Sequence, residues 1–225
     1  MERPPMSDGV LNWCDEQLLL LPQRALWWPA RKSLFIADPH FGKAATFRAA
    51  RIPLPDGTDA DLQRLEQLIE LTNPAALIIL GDLLHSRPGR CPTVFESIRQ
   101  WRQRHRLLQI KLVVGNHDRH AGLPPDEWEF EAVAEPVSGS PFQWWHHPPF
   151  SSQPAFAGHL HPKFKQQRAG DRVVAPCFLL RSNSLVLPAF SSFVAGLAVG
   201  TQPGDIYFVI AGDSICHMLL PNERR

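Results

Sequence analysis

No charge of one sign dominates this sequence: 23 Lys+Arg stand against 22 Asp+Glu, a formal net charge of +1. Overall charge therefore argues neither for nor against nucleic acid, and any basic surface has to be local. No apolar run approaches the ~20 residues of a membrane-spanning helix. Leu18 to Leu21 is cut short by Pro22, too early for the apolar core of a signal peptide. A cytoplasmic protein without membrane contact is expected. Cysteine is sparse and scattered, at Cys14, Cys91, Cys177 and Cys216, with no Cys-x-x-Cys pair. That fits a reduced cytosolic protein better than a disulfide scaffold or a zinc ribbon. Internal repeats, low-complexity tracts and linker runs are missing too. A chain of 225 residues, 44% hydrophobic and 20% charged, then reads as one soluble domain over residues 1–225.

What is present alternates in its first half. Met1 to Gly9 is polar and Pro-bearing and reads as loose. Gln17 to Leu21 and Ala25 to Trp28 read as short strands, and Leu34 to Ala37 as a buried strand running into Asp38-Pro39-His40. Gly42 to Arg51 reads as a short helix. A helix starting at Thr58 or Asp59 carries Leu62, Leu65, Leu68 and Ile69 on one face and stops at Asn73-Pro74. Ala76 to Leu80 is a strand ending in Gly81-Asp82. Thr93 to Arg106 is a helix with Phe95, Ile98 and Trp101 inward and its arginines outward, and Leu107 to Val114 is the strand that delivers Gly115-Asn116-His117-Asp118. Alternation of this kind predicts a largely parallel sheet with its site along the carboxyl ends of the strands. The second half holds short strands between turns rich in Pro, Gly and Ser. They are Phe142 to Trp145, Ala155 to Ala157, Phe178 to Arg181, Ser184 to Leu187 and Ile206 to Ile210. Strands over 173–220 are expected to complete a second sheet packed on the first.

Five separated segments follow predicted strands and carry metal-capable side chains. They are Asp38-Pro39-His40, Gly81-Asp82, Gly115-Asn116-His117-Asp118, His146-His147-Pro148-Pro149 and Gly158-His159-Leu160-His161. Mixed imidazole, carboxylate and amide ligands suit Mn, Fe, Zn or Co rather than Mg or Ca alone. One carboxylate can bridge two ions, which then activate a water and stabilise an in-line phosphoryl displacement. Of the adjacent pair, His146 is nearer the strand end and is expected to point into the site rather than His147. His105, His120 and His217 read as ordinary histidines.

In this order the five segments resemble the calcineurin-like metallophosphoesterases. The resemblance spans Asp38 to His161 and implies an α/β fold, a four-layer α/β/β/α sandwich with a dinuclear site of two divalent metal ions. It implies that Asp38, His40, Asp82 and His161 hold one ion, and that Asp82 bridges to a second held by Asn116, His146 and His159. His117 would not be a ligand but would assist the leaving group, oriented by Asp118, so His117 and Asp118 are the catalytic candidates. A closer likeness rests on Ala37 to Arg48, Ile52 to Pro55, Gly81 to Ser86, Gly158 to Pro162 and Leu187 to Phe190. These stretches resemble the bacterial ligase-associated DNA-damage-response endonuclease branch. That branch implies a Mn²⁺-dependent phosphodiesterase acting on DNA in repair, beside a ligase and a helicase.

Lys43, Arg48 and Arg51 follow the first ligand loop, and Lys163, Lys165 and Arg168 follow the last. Phosphate contacts from such side chains would position a strand without reading sequence. Lys43, Arg48 and His85 are the substrate-binding candidates, although His85 could instead support Asp82. Trp144-Trp145 and Phe41 read as core before they read as base-stacking surfaces. An esterase for nucleotides or other small phosphoesters would use the same chemical residues, and only the cleft outside the metals separates it from a nuclease. A non-catalytic scaffold would be expected to have lost ligands or His117, and none is missing.

Overall fold

The computed structural model describes residues 6–7, 9–52, 54, 57–168, 171–193, 196 and 199–219. The first sheet is built from β1 (Met6–Ser7), β2 (Val10–Trp13), β3 (Glu16–Leu21), β4 (Ala25–Trp28), β5 (Ser33–Ile36), β6 (Ala76–Ile79), β7 (Gln109–Val113) and β8 (Phe130–Val133), in that order across the sheet. β1 to β5 pair antiparallel, and β5 to β8 pair parallel. The helices α1 (Lys43–Ala49), α2 (Thr58–Thr72), α3 (Pro92–Arg104) and the short α4 (Asn116–Ala121) lie in the connections between the parallel strands.

Period-2 alternation explains the layering. Leu34, Ile36, Leu77, Ile79, Ile110 and Leu112 face one way and pack on Leu62, Leu65, Leu68, Val94, Ile98 and Trp101 from α2 and α3. Phe35, Ile78 and Val113 face the other way, onto the second sheet. That sheet comprises β9 (Val137–Gly139), β10 (Phe142–Trp144), β11 (Ala155–Ala157), β12 (Lys163–Arg168), β13 (Asp171–Arg181), β14 (Ser184–Val186), β15 (Ile206–Ala211) and β16 (Ser214–Leu219). Its order is β16-β15-β13-β14-β11-β10-β9, with β12 forming a hairpin on β13. The two sheets join at the site end, where the Phe190 N–H donates to the Ala37 carbonyl at 2.7 Å and Ala37 bridges Ala189.

The mixed α/β fold of two facing sheets with helices is present. Among the described residues no α-helix follows Ala121. The outer face of the second sheet carries a smaller apolar cluster, Cys177, Leu179, Val186, Tyr207 and Val209, with Phe164 of β12 against it. Several strands carried no legible pattern. β8 and β9 are short and largely exposed or half-buried, and β12 buries one large apolar residue, Phe164, between lysines. Residues 1–5 and 8 of the stretch expected to be loose lie outside the described residues, but Met6–Ser7 pairs with β2. Arg102 is a correction too: it is buried rather than solvated, and its Nε donates to the Trp128 carbonyl at 2.8 Å. Trp144 packs edge-on against Phe35 at 5.4 Å and Phe41 is buried, so both belong to the core.

Phe156 sits at the centre of the inter-sheet core, fully buried, with the rings of Phe142, Phe35, Trp28 and Trp13 around it at 4.4 to 6.3 Å. In chemical denaturation Phe156→Ala should lose roughly 3–5 kcal/mol, and a loss under about 1 kcal/mol would place the main inter-sheet contact elsewhere.

Candidate metal centre

The parallel strands deliver their site residues through unusual backbone. Asp38, His40, Asp82, His159 and His161 all have left-handed φ, between 46° and 69°. For non-glycine residues this region is costly and collects at functional sites. Glycine lets the segments approach: a Cβ on Gly81 would collide with the His146 ring, and one on Gly115 with Asp82 Oδ1.

Asp118 holds the loop that carries Asp82. Its Oδ2 accepts the Asp82 and Gly115 N–H groups at 2.8 and 2.9 Å, and its Oδ1 accepts from Leu83 at 2.9 Å and Leu84 at 3.5 Å. This corrects the expectation that Asp118 orients His117. The His117 ring instead donates from Nδ1 to the His85 carbonyl at 2.6 Å, which directs Nε2 toward Asp82 Oδ2, 4.0 Å away. A backbone carbonyl does the work because both Asp118 oxygens are taken up by main-chain donors.

The seven candidate ligands converge in two sets. In the first, Asp38 Oδ1 and His161 Nε2 lie 3.2 Å apart, and His40 Nε2 is 3.9 Å from Asp82 Oδ2. In the second, His146 Nε2 is 2.9 Å from Asn116 Oδ1, 3.2 Å from His159 Nδ1 and 3.5 Å from Asp82 Oδ1. Asp82 thus turns one oxygen to each set. His146 is fixed from behind, its Nδ1–H donating to the Leu80 carbonyl at 3.0 Å, which leaves Nε2 as the acceptor facing the site. His147 bonds Glu135 at 2.8 Å while its ring lies 4.3 Å from that of His159, so it stays within reach of the second set; Glu135 also accepts the N–H groups of His146 and His147. Nothing in the sequence singled out Glu135. His105 pairs with Glu66, His120 Nδ1 meets the Asn116 carbonyl, and His217 lies against Phe208, all outside the two sets.

The donor set fits divalent cations. Asp38 Oδ1 and His161 Nε2 are buried and have no hydrogen-bond partner among the described residues, although they face one another. An unpartnered buried carboxylate oxygen is costly unless a cation meets it. Burial, and secondarily the charge of Asp38, pushes the Asp82 carboxyl up to about 8. Burial pushes His159 down to about 4 and holds His40 and His146 low as well, so these rings stay neutral, the state that binds metal.

Among the substrate candidates, His85 stacks on His117 at 5.0 Å and its Nδ1 is 3.4 Å from His40 Nδ1. Lys43 is half-buried beside His40 and lies over the Phe47 ring. Arg48 and Arg51 are exposed, and Arg48 Nη1 donates to the Leu54 carbonyl at 3.0 Å. Lys165 is exposed, and the Arg168 side chain lies outside the described residues.

A metal-dependent phosphodiesterase is the class that this fold and this constellation define together. Residues 31–152, more than half of the chain, match the family model described as calcineurin-like phosphoesterase, and the chain belongs to that family. Its structure is similar to the crystal structure of Pseudomonas putida nuclease MPE, with a TM-score of 0.82 and 34% identity, covering 94% of this chain and 100% of that one. A weaker likeness, to the E. coli phosphoesterase Yfce, has a TM-score of 0.40 and 16% identity, over 83% of this chain and 97% of that one. No curated protein matches the sequence. No helix among the described residues is long and apolar enough to cross a membrane.

Because Asp82 is protonated below about 8, metal ions compete with a proton for it. A raised carboxyl pKa makes affinity climb with pH, by up to about tenfold per unit between about 6 and 8. Competition against a chelating dye checks this, and an affinity flat across that window would contradict it.

Proposed function

We propose that this enzyme is a manganese-dependent DNA endonuclease that acts in repair, in the cytoplasm, beside a DNA ligase and a helicase. The observation that carries the reading is the 34% identity, over 94% of the chain, to a protein whose structure is described as a nuclease. The lysines and arginines after the ligand loops support it, since a polyanionic strand needs cations beside the scissile bond.

Asp38, His40, His161 and Asp82 Oδ2 would hold one ion, and Asp82 Oδ1, Asn116, His146 and His159 the other. When bound, two such ions supply an activated water and neutralise charge on the phosphate. The residues do the rest. His117, with its Nδ1–H spent on the His85 carbonyl and its side chain 37% exposed, presents Nε2 to the cleft. From there the imidazolium donates its Nε2 proton to the departing strand oxygen, an effect worth roughly 10²–10⁴ in rate. Asp118 keeps Asp82 and the start of α4 in place and takes no part in the proton transfer. Lys43 and His85 border His40 and meet the substrate phosphate.

Chelation should abolish cleavage of DNA, and Mn²⁺ should restore it better than Mg²⁺. His117→Asn should keep its metal content and lose about 10²–10⁴ in rate on DNA. It should lose much less on bis-p-nitrophenyl phosphate, whose leaving group needs little protonation. Equal losses on both substrates would remove the acid role. Turnover of small esters with no cleavage of DNA in any form would favour the small-phosphoester enzyme.

A further inference from the structure

His161 is a wall of the metal constellation and also of a separate cavity of about 70 Å³. That is several times the ~10–15 Å³ one water requires. Arg24, Lys163, Ser191, Pro162 and Pro188 line it as well, and no carboxylate does among the described residues. Arg24 lies in the turn between β3 and β4, with a left-handed φ of 67°. Its Nη1 donates to the Ser191 carbonyl at 2.7 Å and the Ala189 carbonyl at 3.5 Å, which pins the guanidinium on the segment joining the two sheets. An arginine has five N–H donors in a rigid fork, so this anchoring leaves others to offer. Burial, and then the neighbouring Arg64, hold Arg24 below its ordinary pKa against the opposing charge of Asp61. The nearby Asp61 is already occupied by Arg64 at 2.8 Å and the Ser192 hydroxyl at 3.1 Å. Lys163 is half-buried at the start of β12. Ser191 Oγ accepts the Phe193 N–H at 3.3 Å, which leaves its own O–H to donate.

A cavity lined by an arginine, a lysine and a serine, with His161 of the metal constellation in its wall, fits a phosphate. We propose that it binds a second, uncleaved phosphate of the substrate strand, next to the one positioned at the metal constellation. This rests on the nuclease reading above. It implies that the enzyme needs a phosphate on one side of the scissile bond.

The test compares kcat/KM on a dinucleotide with one phosphodiester and on the same dinucleotide extended by one phosphate at either end. The native enzyme should prefer one extended substrate roughly tenfold to hundredfold, the worth of a charge-assisted hydrogen bond. Lys163→Gln and Arg24→Gln should erase most of that ratio. Arg24 also pins the Ser191 segment, so a misfolded Arg24→Gln leaves the decision to Lys163→Gln. A ratio near one in the native enzyme, or one that survives in Lys163→Gln, would overturn the proposal. If inorganic phosphate raises the melting temperature of the native protein but not of Lys163→Gln while both lack the length preference, the cavity takes free anion and the strand assignment falls. If the native enzyme cleaves no oligonucleotide but still turns over small esters, the nuclease reading fails and the subsite falls with it.

Discussion

Asp38 and Asp82 are buried side by side, with 0% and 1% exposure, and the rest of the site answers to that crowding. Two carboxylates out of water repel each other, and here Asp82 resists ionisation. The rise of Asp82 toward 8 is one sign of this, and the unpartnered Asp38 Oδ1 is another. Removing a partner from a buried charge normally costs more than any single contact returns. Divalent cations would compensate such a pair, and the neutral imidazoles around it add ligands without adding repulsion.

The scaffold holds this arrangement in place. Left-handed backbone at five ligand positions costs of order 1–3 kcal/mol each and persists only where surroundings over-determine it. Those surroundings are visible. Asp118 gathers four N–H groups and fixes the Asp82 loop, and Glu135 fixes the His146 loop through two more. Gly81 and Gly115 let neighbouring loops come within reach. The inter-sheet core around Phe156 keeps the two halves of the ligand set in register, because Asp38, Asp82 and Asn116 come from one sheet and His146, His159 and His161 from the other.

Much of this was legible in the sequence because each ligand follows a short apolar strand and a breaker. Short continuous apolar runs, Leu34 to Ala37 and Ala76 to Leu80, placed the strands, and the position of Asp38 and Asp82 just past them followed. The burial of His146, beside the strand end, was readable from its place in the chain. What escaped were contacts made by backbone or by residues without pattern. The His85 carbonyl that orients His117 carries no side-chain identity, so Asp118, the adjacent carboxylate, took the role by default. Glu135 sits in a connector between two short strands, where nothing marks it. Arg102 shares a helix with solvated arginines, and only the tertiary position of Trp128 shows that it is buried.

Asp82 turns Oδ2 toward His40 and Oδ1 toward His146, so it is the residue that would join two ions if both sets were filled. The most direct measurement is the number of manganese ions retained per chain, by elemental analysis after desalting, in the native protein and in Asp82→Asn. The native chain should retain two. Asp82→Asn keeps the side-chain volume but loses one charged oxygen, and it should retain at most one. Two tightly retained ions in Asp82→Asn would contradict the bridge and with it the account of the site.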